Sequence, residues 1–377
     1  MSNPLNTLFQ PLMIGGVTAK NRLALSSMNR HRSTLAGVPT ALNVEFYRQR
    51  GRAGLVLGEG TYPSPMGKAY LFTPGLHDEA QLMGWRRVAK AVHSEGGIIF
   101  VQIMHAGRMS DPLLLDGEQP VAPSAVQPQV KEGYDSAWPR PKRAYGIPRP
   151  LTHAEILKVI DEHRDCAVLA KRAGLDGVEI HGAAGYLPMQ FLSTNTNLRT
   201  DEWGGSVERR SAFLLALVDA MAAATSREFV SVKLSPGWTF NQVEDTDPVA
   251  TYSWLVSQLS KRGIAYLQLA NYGVGWDVYG KLRRLFEGPV IVGVGFNRQS
   301  AARIIADRGA DMVAFGQAYI ANPDLAERYR YDWDISRPKP ATYYTQGEDG
   351  YIDYPGYSES DPKNLQSADK ALVPLMA

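Results

Sequence analysis

Asp176-Gly-Val-Glu-Ile-His-Gly-Ala-Ala-Gly-Tyr-Leu-Pro-Met-Gln-Phe-Leu-Ser193 is the stretch on which the fold turns. Val178 and Ile180 are apolar and β-branched, and Arg172-Ala-Gly-Leu-Asp176 reads as a helix C-terminus with Gly174 as its left-handed cap. His181 therefore stands at the C-terminal end of a strand. Gly182 and Gly185 are expected to bend the following turn sharply and bring His181, Ala184 and Tyr186 to one side. An imidazole can donate to a substrate oxygen, and a phenol can give up a proton. Taken alone, a structural histidine beside a core tyrosine is an equal reading of the pair.

Outward from this stretch, helix and strand patterns alternate. Before it come an N-terminal hairpin at 12–17, a buried strand within 21–30, a helix at 41–52 and a strand at 54–58. A helix at 79–95, a strand at 97–102 and a proline-rich excursion at 110–150 follow. Thr152-His-Ala-Glu155 is a capping box that opens a helix running to 173, ahead of the strand at 177–180. Beyond it the predicted pairs are helix 207–226 and strand 229–234, helix 249–262 and strand 265–269, then a short helix 279–286 and strand 289–292. Helix 300–308, strand 311–315 and a helix starting near Asn322-Pro-Asp324 complete the series. Eight strands separated by helices, with no linker, predict an α/β chain closed as a (β/α)8 barrel. It forms one domain over 1–357, with a polar tail at 358–377. A doubly wound open sheet is the alternative, but no strand is followed by a G-x-G-x-x-G turn. The excursion, with Tyr134, Trp138 and Tyr145, reads as a lid or a partner surface.

Composition narrows the function. The chain has 377 residues, 44% of them hydrophobic, and a net charge of +2 with both signs interspersed, so nothing calls for nucleic acid and the ligand is expected to be small. The single cysteine, Cys166, excludes an intrachain disulfide and a cysteine-based metal cluster, and no metal is expected. The most apolar helix is interrupted by Asp219, and the N-terminus lacks an export pattern. No membrane span and a cytoplasmic setting are the expectation; the oligomeric state is left open.

In a barrel the residues after each strand share one mouth. Here they are Ser26, Ser27, Met28 and Asn29; Glu59, Gly60 and Thr61; Gln102, Met104 and His105; and His181, Ala184 and Tyr186. Lys233, Gly293, Gly295, Gly316 and Gln317 complete the ring. Gly293-Val294-Gly295 and Gly316 lie where barrels bind phosphate through backbone N–H groups, and Lys233 would supply charge to an anionic ligand.

The chain resembles the old yellow enzyme family of FMN-dependent ene-reductases over nearly its whole length. The matching pieces include Leu8-Phe-Gln-Pro-Leu12, Phe100-Val-Gln-Ile-Met-His-Ala-Gly-Arg108, Val178-Glu-Ile-His-Gly-Ala-Ala-Gly-Tyr-Leu187, Asn197-Leu-Arg-Thr-Asp-Glu-Trp-Gly-Gly205, Ala321-Asn-Pro-Asp-Leu325 and Gly350-Tyr-Ile-Asp-Tyr-Pro355. The resemblance implies FMN across the barrel mouth, reduced by NADH or NADPH. The hydride then passes to the β-carbon of an α,β-unsaturated carbonyl or nitroalkene, and a tyrosine protonates the α-carbon. His181 would bind the carbonyl oxygen, Tyr186 would donate the proton, Gln102 would hold the flavin pyrimidine edge and Tyr344 would wall the pocket. Ser27, Met28, Asn29, Gly60, Lys233, Val294, Gly295, Gly316 and Gln317 would bind the cofactor, while His105 and Arg108 read as structural.

This chain departs from the family pattern at the site itself. Ala184 stands where a second donor to the carbonyl oxygen is usual, Asn29 where a threonine is, Ser27 where a proline is, and Lys233 where an arginine is. Val294 replaces a glycine of the phosphate turn, and Gln317 an arginine whose loss predicts FMN binding weaker by about one to two decades. Met104, in place of a large aromatic, opens the pocket or fills the core. An ene-reductase is the first reading. A non-redox isomerase or lyase on the same barrel, with FMN absent or idle, and a silent binding module are the alternatives.

Overall fold

The computed structural model describes residues 4–129 and 144–357. Its eight parallel strands close into a barrel in chain order: β1 (Leu23–Leu25), β2 (Leu55–Thr61), β3 (Ile99–Ile103), β4 (Gly177–Gly182), β5 (Val230–Leu234), β6 (Leu267–Ala270), β7 (Val290–Gly293) and β8 (Met312–Phe315). The helices around it are α1 (Ala41–Gln49), α2 (Glu79–Ser94), α3 (His153–Ala173), α4 (Val207–Ala224), α5 (Pro248–Arg262), α6 (Val278–Arg283), α7 (Arg298–Ala306) and α8 (Leu325–Tyr331). This is the (β/α)8 barrel that the alternation predicts.

Strand periodicity sorts the apolar residues into two cores. Val56, Ile99, Val101, Val178, Ile180 and Val232 point outward onto the helices. Leu55, Leu57, Phe100, Tyr266, Ile291 and Met312 fill the inside. The N-terminal hairpin, Leu12–Ile14 paired with Val17–Ala19, sends Ile14 and Ala19 into that inner core and plugs the N-terminal end of the barrel. Polar inward positions come later along the strands, Gln102 beyond Phe100 and His181 beyond Glu179, so the chemistry is confined to the C-terminal end.

Local signals behave as their chemistry requires. Thr152 caps α3 and Glu155 reaches back to it, with the Glu155 carboxylate accepting from the Thr152 N–H at 2.8 Å. Gly174 ends α3 at φ +83°. The strand expected within 21–30 is Leu23–Leu25, and the polar loop after it starts at Ser26. The expected 207–226 helix stops at Ala224, the last helix starts at Leu325, and a short helix that was not expected, Gln317–Ala321, precedes it with Pro323 between them. A short helix, Leu187–Leu192, follows β4 with Pro188 in its first turn. Within the excursion, Val121–Ala122 pairs with Arg149–Pro150. Tyr134, Trp138 and the 358–377 tail lie outside the described residues.

Among the described residues, no helix is long and apolar enough to cross a membrane, and no three metal-ligating side chains converge. Cys166 is a buried free thiol in α3, pushed up by burial and so unreactive.

Candidate active site

The floor of the barrel mouth is a buried polar network. Glu179, on the inner face of β4, accepts from Gln102 Nε2 at 2.7 Å and from the Tyr266 hydroxyl at 3.0 Å. The Gln268 amide, turned with its nitrogen toward Glu179, adds a bond at 2.6 Å. Ser27 Oγ donates to Gln102 Oε1 at 3.1 Å, so the Gln102 amide is held from both ends with one N–H left to give. Burial pushes Glu179 above and Lys233 below their ordinary ranges, and their mutual attraction opposes both shifts. Glu179 was readable in the sequence as a lone acid in an apolar strand with period-two partners, yet sequence reasoning passed over it.

His181 lies beside Lys233 in the β4–β5 register. Burial, reinforced by the Lys233 charge, holds the imidazole well below its ordinary range, so it is neutral at pH 7. Its Nδ1 is buried with no partner among the described residues. The ring lies 5.1 Å from that of Tyr186, tilted by 43°. The turn joining them differs from the expected one: Gly182 remains in β4, and the bend falls on Ala184 at φ +55° and Gly185 at φ +71°. Gly182 is needed for another reason, since a Cβ there would sit 2.8 Å from Leu214 Cδ1. Ala184 is fixed by its own N–H, which donates to Ser235 Oγ at 3.0 Å, and by its carbonyl, which accepts from Asn241 Nδ2 at 2.8 Å.

Above the floor the walls are apolar and aromatic. Met104, Ala184 and Tyr186 form one buried cluster, edged by Tyr70, Tyr145, Trp238 and Phe240. Trp238 stacks on Tyr272 at 3.6 Å and on Phe240 at 4.6 Å, which makes a flat wall from the loops after β5 and β6. The hydroxyls of Tyr186 and Tyr70 are hydrogen-bonded at 2.8 Å. Tyr70 stacks on His31 at 5.5 Å, and His31 meets Tyr344 at 5.3 Å. Tyr344 reaches the mouth because two buried arginines strap its segment down. Arg32 donates to the carbonyls of Tyr343 and Thr342 at 3.1 and 3.0 Å, and Arg30 to those of Tyr343 and Gly350 at 3.0 and 2.7 Å. Tyr70, Trp238 and Phe240 were not found from sequence, because loops carry no periodicity to place them.

Other expected residues also meet. A Cβ on Gly60 would come within 2.9 Å of both Asn29 Oδ1 and Met104 Sδ, and one on Gly316 within 3.1 Å of Met28 Sδ. At the ends of β7 and β8, paired through Gly293 and Ala314, Val294 and Gly295 are left-handed at φ +75° and +78°. Gly316 precedes the short helix that begins at Gln317. Among the described residues, no hydrogen bond or ring contact joins the side chains of Val294 and Gln317 to the His181 group. His105 and Arg108 behave structurally: burial lowers His105 to about 3, and Arg108 donates to the carbonyls of Asn241 and Gln242 at 2.8 and 2.9 Å.

These residues fit FMN. The Lys233 amine and a spare amide N–H at Gln102 suit a flavin ring edge, and at the end of β7 a Cβ on Gly295 would meet nothing within 4 Å among the described residues, so its backbone is open to a ligand.

Comparison with known proteins agrees. Residues 7–334 match the model of the NADH:flavin oxidoreductase / NADH oxidase family. A probable flavin mononucleotide-dependent alkene reductase of Leishmania infantum is 38% identical over 362 residues, covering 94% of this chain and 98% of that one. The 12-oxophytodienoate reductase 1 of Oryza sativa subsp. japonica is 37% identical over 369 residues, 95% of each. Among solved structures, morphinone reductase superposes with a TM-score of 0.87 at 39% identity, over 93% of this chain and 96% of that chain. The old yellow enzyme from Trypanosoma cruzi gives 0.90 at 30% identity, over 94% and 100%. The chain belongs to the NADH:flavin oxidoreductase / NADH oxidase family, that of the old yellow enzymes, and is an FMN-dependent oxidoreductase.

Proposed function

We propose that this protein is an ene-reductase that reduces the activated C=C bond of α,β-unsaturated carbonyl compounds or nitroalkenes, with Tyr186 as proton donor. The observation that carries the reading is a neutral imidazole beside a phenol, ring to ring at 5.1 Å, in an apolar pocket over a buried polar floor. The name of the alkene reductase relative supports it.

FMN, when bound and reduced by NADH or NADPH, supplies a hydride to the alkene β-carbon. His181 donates an N–H to the carbonyl or nitro oxygen and so favours negative charge there. Because burial and Lys233 keep the ring neutral, it polarises the substrate without being the acid. The proton then comes from Tyr186: its O–H bond breaks, a C–H bond forms at the α-carbon and a phenolate remains. Lys233 and Gln102 would hold the pyrimidine edge, and Ser27, Met28, Asn29 and Gly60 would frame the ring. Val294, Gly295, Gly316 and Gln317 would surround the phosphate, and Met104, Ala184 and Tyr344 would shape the substrate pocket. With alanine at 184, the second side-chain donor usual at the oxygen is missing, a loss that elsewhere costs on the order of 10²-fold or more in rate.

The reading is tested with Tyr186→Phe. Reduction of the flavin by NADPH is expected to continue, while turnover of an enone slows about 10²-fold. Equal turnover would remove Tyr186 from the mechanism.

A further inference from the structure

We propose that Tyr70 is the positioning partner and proton relay of Tyr186: its hydroxyl aims the Tyr186 O–H at the substrate and returns a proton to Tyr186 after each turnover. The inference rests on the reading of Tyr186 as proton donor.

A phenol has one hydrogen and can both donate and accept. The two hydroxyls lie 2.8 Å apart, with either able to donate. If Tyr186 gave its hydrogen to Tyr70, none would remain for the α-carbon. When Tyr70 donates, Tyr186 keeps its own hydrogen for the α-carbon, and the phenolate formed on proton transfer keeps a hydrogen bond that strengthens as charge develops. Tyr186 itself is buried, at 4% exposure, whereas Tyr70 is only half-buried. Tyr70 is therefore the shorter way in for a proton.

Tyr70 is also built to stay put. Its ring stacks on His31 at 5.5 Å and 30°, and its carbonyl accepts from Thr73 Oγ1 at 2.9 Å. The sequence separation of 116 residues between Tyr70 and Tyr186 means that the barrel, not the local chain, brings the hydroxyls together.

The proton steps balance. The Tyr186 O–H bond breaks as the α-carbon C–H bond forms. The Tyr70 O–H bond then breaks as the Tyr186 O–H bond re-forms, and Tyr70 takes a proton from water, leaving hydroxide. Electrons come only from the nicotinamide through the flavin, so no further reductant is needed. Passing a proton between two chemically similar phenols costs little, which suits a relay.

The test is Tyr70→Phe in the FMN-loaded protein, which keeps the ring and its stacking and deletes one oxygen. The prereduced protein is mixed with 2-cyclohexenone across a pH series, beside Tyr186→Phe and the double variant. Reoxidation by the enone is expected to slow about ten-fold in Tyr70→Phe, the cost of one hydrogen bond to a developing charge. The alkaline limb of the pH profile should move to higher pH, and the double variant should be no slower than Tyr186→Phe alone. With ¹³C-labelled tyrosine, the Tyr186 Cζ resonance should titrate at higher pH in Tyr70→Phe, with or without FMN. An unshifted limb and resonance, or costs that add in the double variant, would overturn the relay. If Tyr186→Phe slows the reaction and Tyr70→Phe does not, the relay falls alone; if neither slows it, the proton-donor reading falls with it.

Discussion

Val294 places a β-branched side chain on left-handed backbone, at φ +75°. That conformation costs a β-branched residue roughly 1–3 kcal/mol, while Ala184 at φ +55° is the milder case. Val294→Gly should raise unfolding free energy by about 1 kcal/mol, after the unfolded-state entropy of glycine is subtracted from the strain relieved. Urea denaturation checks it; a loss of stability would mean that Val294 packing outweighs its backbone strain. His181 and Tyr186 were legible as single residues because one ends and the other follows an apolar strand on the side where barrels do chemistry. Tyr70 was not, since nothing around it in sequence announces a partner 116 residues away. The bend at Ala184 was misplaced for a physical reason: glycine is the usual left-handed residue, and an alanine held by Ser235 and Asn241 took that role instead.

Among the elements, the loop after β1 and the segment carrying Tyr344 are bound to each other by Arg30 and Arg32 through backbone carbonyls. Carbonyl acceptors have no residue signature, which is why the strap was invisible in sequence although Tyr344 was expected at the pocket. Glu59, on β2 beneath that strap, accepts from the Arg30 N–H at 3.0 Å and from Asn43 Nδ2 at 3.1 Å. Burial raises its carboxyl from 4.5 to about 7, against the pull of Arg30 and Arg32. A folded value above the unfolded one favours the protonated native state. The stability present below 4.5 is therefore lost as the pH rises through about 7, by an amount on the order of 3 kcal/mol. Glu59→Gln should flatten that decline: the difference in urea midpoint between about pH 5 and pH 8 shrinks relative to the parent. An unchanged difference would show that Glu59 ionises at no cost in the folded protein.

For the molecule as a whole, the alternation of helix and strand predicts a parallel sheet, because parallel strands buried on both faces need a helix between each pair, and the lack of a G-x-G-x-x-G turn after any strand favours the closed barrel that is found. The split of inward and outward side chains then leaves one end of the barrel plugged by the N-terminal hairpin and the other lined by Gln102, Glu179, His181 and Lys233. The aromatic wall of Trp238, Phe240 and Tyr272 depends on how two loops fold over that end, and loop conformation is set by tertiary contacts rather than by period. At this open end the proposed function needs a flavin that passes electrons from a nicotinamide to an activated alkene. The most direct measurement is the visible absorption spectrum of the protein with FMN under anaerobic conditions, first on adding NADPH or NADH and then on adding 2-cyclohexenone. A bound-flavin spectrum that bleaches with the nicotinamide and returns with the enone is the expected result. A protein that takes up no FMN, or a bleached flavin that neither enones nor nitroalkenes reoxidise, would contradict it.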